Sequence, residues 1–79
     1  MIEVKDLSKG DIFKLPVQKD YWLFEFVRNE YNNNELINSI IRCIASHDLN
    51  GVLRLEHHSV ESRCNPHAIA EIVMIKVNQ

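Results

Sequence analysis

Residues 57 to 67 read His-His-Ser-Val-Glu-Ser-Arg-Cys-Asn-Pro-His, and hold three of the chain's four histidines and one of its two cysteines. Cys64 and His67 make a Cys-x-x-His step, half of a zinc pattern. Zinc takes four nitrogen or sulfur ligands at about 2.0–2.3 Å. On a strand His57 and His58 point to opposite faces, so only one of them joins. The set would be Cys64, His67, His57 and Cys43, with His47 as the substitute for Cys43. The plainer reading has His57 and His58 ending a strand, Cys64 as a small hydrophobe and His67 capping a turn. That reading is preferred: no metal is expected, and a zinc-stapled mini-domain is kept as an alternative.

The same stretch contains the makings of a nucleophile. Cys64, His67 and Glu61 can be written as nucleophile, base and orienting group, as can Ser59 with His58. Such a nucleophile needs glycines in its elbow or oxyanion loop, and the chain has only Gly10 and Gly51. No catalytic residue and no enzyme activity are expected. Arg42, Arg54 and Arg63 are the candidates for a small anionic ligand such as a nucleotide, since guanidinium forks suit phosphates and carboxylates. Solvated single arginines are the plainer reading. Trp22, Phe24 and Phe26 fall at period two and resemble a base-stacking stripe, but at this spacing core is preferred.

These residues need elements to hold them. The opening Val-Lys-Asp-Leu-Ser-Lys-Gly-Asp-Ile-Phe-Lys-Leu-Pro gives a turn at Ser8–Asp11 and a strand Ile12–Leu15, stopped by Pro16. It is similar to the start of many small bacterial and phage β-domains. Asp20–Tyr31 reads as the strongest strand, aromatic and β-branched, paired to the first as a hairpin. Asn32–Asn34 then reads as an N-cap, with Glu35 in the first helical turn. Leu36, Ile37, Ile40, Ile41, Ile44 and Ala45 follow the helical i, i+3, i+4, i+7 spacing, and Asn50-Gly51 closes the segment. Four isoleucines favour a strand instead, so a strand over Ile40–Ala45 is the alternative. Val52–His58 alternates as a strand, 59–68 is a loop turned at Asn65-Pro66, and Ala70–Val77 is a nearly continuous apolar strand.

The expected fold is therefore α+β, one domain over residues 1–79, in the order β-β-α-β-β: a four-stranded antiparallel sheet with one covering helix. The alternative is an all-β, SH3-like small barrel. One helix leaves part of such a sheet uncovered, so Tyr21, Leu23, Val27 and half of the last strand are expected to remain partly exposed, a surface that marks a partner.

The totals narrow the function. The chain has 79 residues, is 46 % hydrophobic and 25 % charged, and carries a net charge of −2. So short a chain has a thin stability margin and tends to need a staple or a partner subunit. Its nine bases are scattered, which disfavours phosphate-driven nucleic-acid binding. No apolar run is long enough for a membrane span. The start lacks a signal peptide's apolar core, and two cysteines without such a signal suggest free thiols in the cytoplasm. The expectation is a cytoplasmic, non-enzymatic binding or regulatory module, homo-oligomeric and docking on a protein partner. Its size and its Asn- and Ile-rich composition suit a phage or mobile-element inhibitor of a host protein. A nucleotide-sequestering protein is the alternative.

Overall fold

A computed structural model describes residues 1–16, 22–47, 53–55 and 60–74, with the backbone alone at 46, 47, 53–55 and 74. The described residues form seven strands and one 3-10 turn, with no α-helix. In chain order they are β1 (Ile2–Glu3), the 3-10 turn (Val4–Asp6), β2 (Ile12–Lys14), β3 (Leu23–Asn32), β4 (Glu35–His47), β5 (Leu53–Leu55), β6 (Glu61–Cys64) and β7 (Ile69–Met74). Every pairing is antiparallel. The sheet runs β1-β7-β2-β3-β4-β5, and β6 also pairs with β4.

The α+β expectation is thus corrected to all-β. The segment expected as a helix is β4, the longest strand. Asn33 and Asn34 do not cap a helix; their φ values of 50° and 66° place both in the left-handed region. Two such residues in succession make the two-residue turn whose twist suits a β-hairpin, and asparagine tolerates that region better than most side chains. The helical spacing of the isoleucines has a different cause. Glu30 pairs with Asn38 and Tyr31 with Leu36, so Ile37 is the extra residue of a bulge. Phe24 pairs with Cys43 and Leu23 with Ala45, so Ile44 is a second extra residue. Between them Ile41 joins the core, while Ile40 is also buried yet lies outside the core cluster. A strand buried on both sides and bulged twice mimics helical periodicity. The loop expected at 59–68 is corrected as well, since Glu61–Cys64 is β6. As for the barrel alternative, no described pairing joins the ends of the sheet.

One core cluster draws on β1, β2, β3, β4, β6 and β7. Val4, Leu7, Phe13, Leu15, Phe24, Phe26, Ile41 and Ala70 are buried together, with Ile2, Cys43, Cys64 and Ala68 packed against them. Phe13 and Phe24 are cross-strand partners with ring centroids 5.8 Å apart. Phe24 and Phe26 are core as expected, whereas Trp22 is partly exposed and meets Phe24 edge-on. The turn at Ser8–Asp11 forms where the sequence puts it. The Ser8 amide donates to Asp11 Oδ2 at 2.9 Å, and Gly10 takes a φ of 94° that suits only glycine well.

The start of the chain locks onto its distant parts. The Val4 amide donates to the Ala68 carbonyl and the Lys5 amide to the Pro66 carbonyl, each at 2.9 Å. The Lys5 carbonyl accepts from Asn29 Nδ2 at 2.9 Å, and Asn29 Oδ1 accepts from the Ser39 hydroxyl at 2.7 Å. A polar thread therefore ties the 3-10 turn through β3 to β4.

Candidate functional site

The zinc and catalytic candidates do not assemble in the described structure. Cys64 is the register partner of Ser39. Cys43 lies four residues further along β4, about 13 Å at roughly 3.3 Å per residue, too far for one tetrahedral ion. Neither Cys43 nor Cys64 is joined in a disulfide. His67 is exposed, with Nδ1 3.1 Å from Glu3 Oε1. The turn there is capped not by His67 but by Asn65, whose Oδ1 accepts the His67 amide at 2.9 Å. His57, His58 and Ser59 lie outside the described residues, as does the side chain of His47. Among the described residues no group of three or more His, Cys, Asp or Glu side chains is placed to hold a metal. Burial pushes the Cys64 thiol above its ordinary range, the reverse of what activates a nucleophile. Glu61, its supposed helper, pairs with Arg28 instead.

The binding candidates fare unevenly. Leu23 and Val27 are half-buried, and Val27 is the extra residue of a third bulge, between Phe26 and Arg28. Tyr21 and the side chain of Arg54 lie outside the described residues. Arg42 and Arg63 do come together, on neighbouring strands, but each already holds a carboxylate. Arg42 bonds Glu25, its register partner on β3. Arg63 Nε donates to Glu30 Oε1 at 3.2 Å, and Arg28 donates to Glu61 Oε1 at 3.2 Å. In one register row Glu25, Arg42 and Glu61 alternate in sign across β3, β4 and β6. The Asn38 amide, then the Arg63 guanidinium, hold Glu30 below its ordinary carboxylate value. The bond to Glu25 raises Arg42. Buried Ile40 has Arg28 and Arg63 as its two cross-strand neighbours, and the aliphatic stems of arginines cover apolar surface well.

The feature the sequence reading missed is the edge made by β6. Ile41 faces the core and pairs with Ser62, and Cys64 packs on the core, so Ser62 and Cys64 share the inner side. Glu61 and Arg63 therefore share the outer side. β6 pairs with β4 along one edge, and no described strand pairs with its other edge. Glu61, Ser62 and Arg63 are exposed, and Val60 just before them is 79 % exposed. β5 and β6 lie one after the other along the same strand, β4. Between Leu55 and Glu61 the chain has five residues, while between Ala45 and Arg42 β4 has two. The described rim of β4 is thus made by two separate strands, β5 and β6. Alternation of Val60, Ser62 and Cys64 against Glu61 and Arg63 was its only sequence signal.

Comparison with known proteins finds no matching family model, no matching curated protein and no matching solved structure.

Proposed function

We propose that the protein is a non-enzymatic protein-interaction module that captures an extended partner segment on the β6 edge. The observation that carries this reading is the edge of β6 that no described strand pairs: a short strand whose outer side presents an acid and a base two residues apart. Unpaired N–H and C=O groups along an edge are a template for another strand, and strand addition supplies affinity through the main chain and specificity through alternate side chains. An antiparallel partner needs a base opposite Glu61 and an acid opposite Arg63. Read from its own N-terminus, that partner is acid-x-base.

The test uses two labelled synthetic peptides, one with glutamate and arginine in that order and one with them exchanged. Opposite-charge cross-strand pairs contribute roughly 0.2–1 kcal/mol each, and like pairs cost a similar amount. Two pairs exchanged should therefore separate the peptides by about tenfold in Kd, measured by fluorescence anisotropy. Equal binding of both would remove the charge rule, and binding of neither would remove the edge as a capture site.

A further inference from the structure

We infer that the segment captured by the β6 edge is β6 of a second copy, paired antiparallel about a two-fold axis through Ser62. This rests on the reading of β6 as a capture edge and adds the identity of its partner. The edge selects an acid-x-base strand, and β6 is itself Glu61-Ser62-Arg63. In a pairing centred on Ser62, Glu61 faces Arg63 of the partner copy, and symmetry repeats the pair in reverse, as an isologous interface requires. The residue on the axis must meet its own image. Ser62 is small, uncharged and exposed, so two copies meet there without like charges.

The next pair in the same register is Val60 against the partner's Cys64. Among the described residues Val60 is the most exposed hydrophobic side chain after Met1, and the seam would remove its apolar surface from water. The outer-face charges also continue across the axis. Glu30 holds Arg63 and Arg28 holds Glu61 within one copy. The row then reads Glu30, Arg63, partner Glu61, partner Arg28, with no two like charges adjacent. Two sheets would become one continuous sheet, with an exposed edge of each covered.

The experiment is sedimentation equilibrium of the full chain with reciprocal charge variants. The wild-type chain is expected to form a dimer. Glu61→Arg gives a strand with two bases, and Arg63→Glu one with two acids. Each alone should dimerise at least tenfold more weakly, because like charges now face each other. Mixed in equal amounts, the two variants should recover a dimer, and native mass spectrometry should identify it as the heterodimer. Ser62→Lys, at an exposed side chain, serves as a further variant should either reversal unfold the chain; it sets two lysines against each other on the axis and should also give monomer. A dimer indifferent to all three substitutions would overturn the inference by placing the interface elsewhere. A wild-type chain that stays monomeric at high micromolar concentration would overturn it too. In that case binding of the glutamate-first peptide would leave the capture edge standing with another protein's strand as its partner, whereas failure of both peptides would remove the edge reading as well.

Discussion

Ser39 has no solvent exposure, yet it is polar and sits in the wall of the core. Its hydroxyl donates to Asn29 Oδ1, and Asn29 in turn holds the Lys5 carbonyl. Removing the donor strands a half-buried acceptor, which costs about 1–3 kcal/mol. Ser39→Ala should therefore lower the unfolding free energy by about that amount in urea titrations. A change below about 0.5 kcal/mol would show that the thread does not carry stability. Cys64 offers a second test at this scale. Its thiol value is raised by burial, so the folded chain binds a proton more tightly than the unfolded one. The associated stability is complete below the ordinary thiol value and is lost as pH rises through the raised folded value. Thermal melts followed from neutral to alkaline pH should fall more steeply for the wild-type chain than for Cys64→Ala. Identical slopes would assign the alkaline loss to other groups.

Among the elements, the β3–β4 hairpin shows most clearly what was legible and what was not. Phe24 and Phe26 at period two announce a strand, and Ser8–Asp11 and Asn65-Pro66 announce turns. Asn33-Asn34 announces two things at once, because asparagine is favoured both at helix N-caps and in the left-handed turn region. Propensity alone does not choose between them; the choice is made by cross-strand pairing along β3 and β4, from Asn32 with Glu35 out to Leu23 with Ala45. Isoleucines placed at bulges added a helical rhythm that the strand does not possess. β6 was harder still, because its ion pairs lie 33 residues away in sequence, from Arg28 to Glu61 and from Arg63 to Glu30. The site residues were partly legible for the same reason: Arg42 and Arg63 stand out as charges, but their carboxylate partners come only with the strand register.

The turn itself can be tested. A residue with a β-carbon pays about 1–2 kcal/mol in the left-handed region, asparagine less. Replacing Asn33 and Asn34 together by valine should destabilise the fold, whereas Asn34→Gly should leave it unchanged or slightly more stable, as read from melting temperature. Equal effects of the two would contradict the turn geometry. Near the turn of the same hairpin, Glu30 is held low by Asn38 and Arg63. Its contribution to stability is present above the ordinary carboxylate value and disappears as pH falls through the lowered one. In an NMR titration Asn38→Ala should move the Glu30 midpoint upward, and more than Arg63→Ala does, since the amide bond is the larger cause.

At the scale of the whole molecule, charge sets how copies would meet. The pairs proposed at the β6 seam are exposed, so they are screened once salt shortens the Debye length to about 3 Å near 1 M. Dimerisation should weaken from low salt to 1 M while the melting temperature of the monomer variants changes less. A dimer that strengthens with salt would point instead to an apolar seam. One further consequence follows from the pairing of β1 with β7, Ile2 against Ala70 and Glu3 against Ile69. Synthesis runs from β1 toward β7, and domains mature as their segments emerge. The β3–β4 hairpin has both of its strands early and can zip locally. β1 lacks its described mate until β7 has been made, so residues 2–3 are synthesised before the hairpin and placed after it.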